Sequence, residues 1–261
     1  MSQETSSISR IGKTEPFDLQ VARGQITGHE TTFKFGFNSD VDDSLETIWS
    51  EGGAYSYLSS ASVLKISSSS TDDDAAGTGA RTVQVYGLDE NYDEINETVT
   101  LDGQTAVNTT NSFLRVNRMV IRSAGSGGKN AGTVYAGTGT ITTGVPANKY
   151  AAIAVGENQT TMALWTVPAG YTAYLCRATF SVASATANKF VTVSIVARPN
   201  GEVFQTKDKL TLNVGSHVQN YKFPIAFTEK TDIEVQGIGD SATSNGNVSA
   251  GLDIVYIKNT L

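Results

Sequence analysis

The strongest constraint on this chain is a two-residue alternation of apolar side chains. It recurs in short segments and never gives way to a sustained 3.6-residue pattern. Residues 31–37 set Phe33, Phe35 and Phe37 on one face, the period of a strand covered on one side. Val191, Val193, Ile195 and Ala197 alternate likewise, as do Leu210, Leu212 and Val214, Ile233 with Val235, and Leu252, Ile254 and Tyr256. Residues 63–66, 82–88, 95–101, 113–121 and 161–167 read as further strands. Turn chemistry stands between them: Asp72-Asp73-Asp74, Gly77-Thr78-Gly79, Asp89-Glu90-Asn91, Asp102-Gly103, Pro168-Ala169-Gly170 and Asn200-Gly201. Asp102-Gly103 and Asn200-Gly201 are hairpin signals, because both supply positive φ at low cost. Strands of about six residues spaced about ten apart predict an all-β chain of antiparallel sandwich or jelly-roll type. Residues 40–49 are expected to make one helical turn, with Ser44 as N-cap and Leu45, Ile48 and Trp49 facing inward. The Phe33–Phe37 face is expected in the core, with a subunit interface as the alternative.

Composition agrees with many strands and tight turns. Charged residues are 17% of the 261, against about 25% in ordinary globular usage, and 25 glycines sit beside only 5 prolines. Four segments are expected. Residues 1–17, polar and without periodicity, form an N-terminal arm. A β-sandwich domain covers 18–125, a Gly/Thr-rich linker 126–148, and a jelly-roll-like β domain 149–261. The first residues lack a basic and apolar leader, so no secretory signal is expected. No run approaches 18 apolar residues, so no membrane span is expected either. A net charge of −7 without any Lys/Arg cluster speaks against nucleic acid as a partner.

Motifs that carry chemistry are missing. His29 and His217 are the only histidines and neither sits in a nucleophile motif. With the single Cys176 they cannot supply a zinc site, and Cys176 reads as a small buried hydrophobe. A Walker loop ending at Gly128-Lys129 fails, since Ser123 and Asn130 stand where Gly and Ser or Thr are needed. Gly77-Thr78-Gly79 lacks a third Gly at Thr82 and leads into a strand. Asp89, Asn91 and Asp93 open like a Ca²⁺ loop, but Glu94 replaces the required Gly and Thr100 the bidentate Glu. Asp40, Asp42 and Asp43, or Asp72 to Asp74, could bind Ca²⁺ weakly in a β loop, with solvated loops the favoured reading. Trp49 and Trp165 lie in apolar segments and read as core, not as a sugar-binding wall. No catalytic, cofactor or metal residue is assigned, and the chain is not expected to be an enzyme.

Residues 42–133 resemble a structural protein family of tailed-bacteriophage virions, particularly marine ones. The words that carry the resemblance are Thr47-Ile48-Trp49-Ser50-Glu51-Gly52-Gly53, Asp74-Ala75-Ala76-Gly77-Thr78-Gly79-Ala80-Arg81-Thr82-Val83, Glu97-Thr98-Val99-Thr100-Leu101-Asp102-Gly103 and Phe113-Leu114-Arg115-Val116-Asn117-Arg118. Val167-Pro168-Ala169-Gly170-Tyr171 and residues 230–235 are more loosely similar to jelly-roll modules of phage heads and tails. The resemblance implies a virion component made in the host cytoplasm, most specifically a capsid decoration or cement protein. Its partners would be the major capsid protein or other virion proteins and further copies of itself, with a trimer favoured. The alternatives are a head or tail fibre that binds host glycan and, less favoured, a virion-associated glycan-cleaving enzyme. The resemblance hands over no catalytic residues.

Overall fold

A computed structural model describes residues 9–10, 13–184, 189–240 and 246–260. Among them 61% are strand and 3% helix, so the chain is all-β as its alternation predicts. In chain order the strands are β1 (Ser9–Arg10), β2 (Lys13–Thr14), β3 (His29–Val41), β4 (Glu46–Thr47), β5 (Ser62–Ser68), β6 (Ala80–Leu88), β7 (Glu94–Thr100), β8 (Val107–Phe113) and β9 (Arg115–Ala124). They continue with β10 (Val134–Thr142), β11 (Val145–Ile153), β12 (Leu164–Thr166), β13 (Tyr171–Ser184), β14 (Val191–Arg198), β15 (Gln205–Leu212), β16 (Gly215–Phe227), β17 (Asp232–Gly239) and β18 (Gly246–Lys258). One helix, α1 (Phe17–Ala22), precedes β3.

Four main sheets form, ordered β16-β13-β18-β3, β12-β17-β14-β15 with β4 on β17, β11-β10-β5-β8, and β7-β6-β9. They are set in a four-bladed, propeller-like ring and are not clearly two jelly-roll domains. Alternation explains the two apolar cores. Val248, Ala250, Leu252, Ile254 and Tyr256 of β18 share one buried face, and Val191, Val193 and Ile195 of β14 another; they meet with Phe180 and Trp165 in one cluster. Leu64, Ile66, Val83, Val85, Phe113, Met119 and Ile153 build the second.

Strand pairing does not follow the expected segment boundaries. β3 lies inside 18–125 yet pairs with β18 over residues 29–41, and β4 pairs with β17. Residues 134–153, mostly inside the expected linker, are β10 and β11, which complete the sheet of the second cluster. The glycines misled because they serve close packing rather than flexibility. A Cβ on Gly137 would sit 2.2 Å from Asn148 O, at a β-bulge between Ala136 and Gly137. The expected arm falls largely outside the described residues; within it β1 and β2 pair, and α1 begins at Phe17.

The hairpin signals also resolve differently. Asp102-Gly103 does not join a hairpin, since β7 pairs with β6 and β8 with β5; the turn carries the chain between sheets. Asn200-Gly201 sits in a longer connection, because Ala197 is opposite Gln205. A two-residue hairpin turn forms instead at Thr143-Gly144, with φ of 50° and 79° between paired Thr142 and Val145, the primed-turn sign at both positions.

No helical turn forms over residues 40–49. Glu46 explains why: its buried carboxylate accepts hydrogen bonds from Asn38 Nδ2 (2.9 Å), Gly53 N (2.7 Å) and Asp42 N (3.3 Å), which holds the segment in an irregular loop. Ser44 is not a cap; its N–H donates to Asp42 Oδ1 (2.7 Å). Ile48 and Trp49 are buried as expected, but Leu45 is 52% exposed.

The Phe33–Phe37 face is turned the other way from the expectation. Lys34, Gly36 and Asn38 of β3 are buried, whereas Phe33 is 56% and Phe37 39% exposed. Gly36 is what lets β3 approach. A Cβ there would lie 2.1 Å from Ile48 O and 2.3 Å from Ala163 N, two atoms that bond to each other at 2.9 Å. Gly36→Ala is therefore expected to cost about 3 kcal/mol or more, since backbone cannot yield as a side chain can. Urea denaturation of the variant checks this.

Candidate functional site

Three features of the fold merit comparison as sites: a buried charge cluster joining the two cores, a cleft beside it, and an exposed aromatic sheet face.

The charge cluster is built from residues far apart in the chain. Arg115 of β9 donates Nε to Asp232 Oδ1 (2.8 Å) and Nη2 to Oδ2 (3.1 Å), the two parallel bonds that a planar guanidinium makes with a carboxylate. Arg198 Nη2 of β14 donates to the same Oδ2 (2.6 Å), and Thr166 Oγ1 of β12 to Oδ1 (2.6 Å). Both guanidiniums lie over the Tyr57 ring, 5.0 and 4.7 Å from its centroid. Two positions along β17, Glu234 accepts from Thr47 Oγ1 (2.6 Å), Tyr57 Oη (3.0 Å) and Gln236 Nε2 (3.1 Å).

Burial raises the Glu234 carboxyl above the usual range despite those three donors, and burial with the Glu234 charge raises the Tyr57 phenol. For Arg115 burial works downward, but the bonds and charge of Asp232 outweigh it and the guanidinium is held charged. Every carboxylate oxygen is engaged within the protein. The arrangement clamps β9 and β14 to β17.

The cleft is more open. It has a volume of about 640 Å³ and runs between β3 on one side and β6, β7 and β9 on the other, with Trp165 and Tyr256 among its walls. Lys34 donates from Nζ to Asn117 O and is buried. That burial, with the nearby Arg118 charge, lowers its ammonium to about 7. Glu94 lines the same cleft, and partial burial followed by the charge of Glu30 raises its carboxyl. Glu30 in turn accepts from Tyr171 Oη and Tyr256 Oη, both at 2.9 Å.

The third feature is the outer face of the β16-β13-β18-β3 sheet. Phe33 and Phe35 stack at 5.8 Å, and opposite Phe35 lies Gly251, opposite Phe37 Ser249. Continuing across the sheet come Thr179 and Ser181, then Val218 and Ser216. The result is a shallow depression of about 390 Å³ with small residues at its centre and phenyl rings on one rim. His217 is the only ionisable residue lining it.

Of the residues weighed from sequence, Trp165 borders the cleft and His217 the aromatic face. His29 Nδ1 contacts Thr27 O (3.1 Å), with its ring edge-on to Phe17, and His217 Nε2 contacts Gln219 Oε1 (3.3 Å); neither meets an acid. Cys176 is half-buried at a bulge in β13, not fully buried as expected, and burial raises its thiol above the ordinary value. Trp49 and Trp165 are core, as expected. Asp89 Oδ1 accepts from Asn91 N (2.8 Å) and Asp93 N (3.0 Å), a loop-closing role. Asp73 is fully buried, not solvated; it accepts from Ser68 Oγ, Ala80 N, Ala131 N and Gly132 N at 2.6–2.9 Å. Among the described residues no group of three His, Cys, Asp or Glu is placed to hold a metal. No helix among them is long and apolar enough to cross a membrane.

Sequence reasoning did not single out Lys34, Arg115, Arg118, Asp232 or Glu234. The available signal was charge inside apolar alternation: Lys34 between phenylalanines, Asp232 and Glu234 flanking Ile233.

No protein-family model matches the chain, and no curated protein matches it. Among solved structures, infectious bursal disease virus of the Gx strain aligns over 94% of this chain and 77% of its own, at 11% identity and a TM-score of 0.23. The VP2 subviral particle of the same virus aligns over 89% and 77%, at 10% identity and a TM-score of 0.19. Likeness at that level supports no statement about fold or role.

Proposed function

We propose that the chain is a non-enzymatic structural component of a virus particle, most specifically a decoration or cement protein on the head shell of a tailed phage. The observation that carries this reading is the outer face of the β16-β13-β18-β3 sheet. In a chain of net charge −7, this face sets exposed Phe33 and Phe37 and half-buried Phe35 beside Gly251, Ser249, Thr179 and Val218. Covering it removes apolar area from water, and a partner also has to accommodate the Arg177–Asp253 ion pair opposite Phe33; the acidic remainder of the surface repels like copies. Exposed apolar faces of this kind mark contact sites. The resemblance of residues 42–133 to phage virion proteins supports the same reading. The proposed occupant of the face is a shell subunit, with symmetric copies around it as a trimer.

The test is co-sedimentation of the purified chain with undecorated head shells. The wild type is expected to bind saturably. Phe33→Ser combined with Phe37→Ser is expected to weaken binding at least tenfold with a fall in melting temperature of only a few degrees, because both rings are in part exposed to solvent already. Retained affinity in the double variant would overturn the assignment of this face. Binding to a host glycan with none to shells would favour a fibre.

A further inference from the structure

We propose that the cleft between β3 and the β7-β6-β9 sheet holds a small oxyanion, the carboxylate or sulfate of a sugar-sized molecule, between Lys34 and Arg118. The inference does not rest on a virion role. Both cations line the cleft, one from each side, and both are bonded to neutral acceptors only. Lys34 Nζ donates to the backbone carbonyl of Asn117, and Arg118 Nη2 to Gln159 Oε1 at 2.9 Å. Neither takes part in any ion pair among the described residues.

Lys65, Arg81 and Arg122 likewise donate to neutral acceptors, but none of them lines this cleft. The contrast within the same molecule decides the matter. Where Arg115 and Arg198 converge, the protein sets Asp232 between them. Lys34 and Arg118 line one cleft without an ion pair, and Glu94 is the one carboxylate among the described residues of its lining. Two like charges at a part-buried site repel, and burial penalises the lysine further, so an anion lodged between them relieves both costs.

The rest of the cleft fits a small polar molecule rather than a bare ion. Its volume of about 640 Å³ falls within the range of roughly 300–1,000 Å³ common to small-molecule sites. Tyr86 lines the space with a half-buried ring and Asn96 with an amide. Glu94 lines the same space and disfavours a second negative group.

The experiment is an NMR titration of the ¹⁵N-labelled full chain at pH 6.5 and constant ionic strength, with sodium glucuronate, sodium sulfate and neutral glucose as probes. Saturable shifts of the amides of residues 31–35, 94–96 and 117–118 are expected with glucuronate and not with glucose. Saturation by sulfate as well narrows the ligand to its anionic group and still supports the site. Arg118→Gln, at an exposed position, is expected to weaken glucuronate at least tenfold while leaving the dispersion of the spectrum unchanged. Lys34→Met, which keeps the apolar stem, is expected to do the same. Absence of saturation by either anion up to tens of millimolar overturns the proposal. So does unchanged affinity in Arg118→Gln, which stays decisive even if Lys34→Met fails to fold.

Discussion

Asp232→Ala is expected to lower stability by about 3–5 kcal/mol, the cost of stripping a buried ion pair of one partner. Asp232 is 3% exposed and binds Arg115, itself 8% exposed, together with Arg198. Removing the carboxylate leaves two guanidiniums facing one another over Tyr57. For a chain of this size the loss corresponds to a fall in melting temperature on the order of 10 °C. A triple variant, Arg115→Met with Asp232→Leu and Arg198→Met, is expected to lose less than the single one, because apolar groups of similar volume carry no desolvation penalty. Urea denaturation of both checks the pair. A single-variant loss below about 1 kcal/mol would show that water already reaches the guanidiniums and that the clamp is not sealed.

The second large effect is on pH. Lys34 has a folded value of about 7 against 10.5 in the unfolded chain. Below pH 7 both states hold the proton and the slope is nil. Between pH 7 and about 10 the unfolded state binds more protons, so stability rises with pH. The full shift from 10.5 to about 7 corresponds to at most roughly 5 kcal/mol at 1.36 kcal/mol for each pKa unit. Above pH 10 the trend reverses. Tyr55, Tyr57 and Tyr256 are raised chiefly by burial, so their unfolded forms lose protons first and stability falls. A maximum near pH 9–10 is therefore expected, and in Lys34→Met the rise from pH 7 should flatten. Denaturation midpoints measured from pH 6 to 11 check both; an equal rise in the variant would place the titrating group elsewhere.

Period-two alternation was legible from the chain alone and correctly marked β3, β14 and β18 as strands. What alternation cannot say is which of a strand's two faces is covered. In β3 the phenylalanines take the outer face because the inner one must accommodate the Ile48–Ala163 hydrogen bond, for which only Gly36 leaves room. Lys34 and Asn38 are then carried inward by the same period. Gly137 and Gly139 hid β10 for a related reason, since a glycine read as flexibility was required by a bulge. The charge clamp was illegible because its parts come together only in the fold: Arg115 and Asp232 are 117 positions apart. Single acidic residues such as Glu46 and Asp73, which look like loop solvation, instead organise loops by collecting backbone N–H donors.

β3 is made early and its partner β18 comes last, about 200 residues later. At synthesis rates of roughly 5–20 residues per second, β3 waits about 10–40 s on the ribosome for its neighbour. Through that interval Phe33, Phe35 and Phe37 lie on an unpaired strand, open to any chaperone that grips aromatic segments. The sheet that bears these rings closes only once β18 has been translated, after the seventeen strands that precede it.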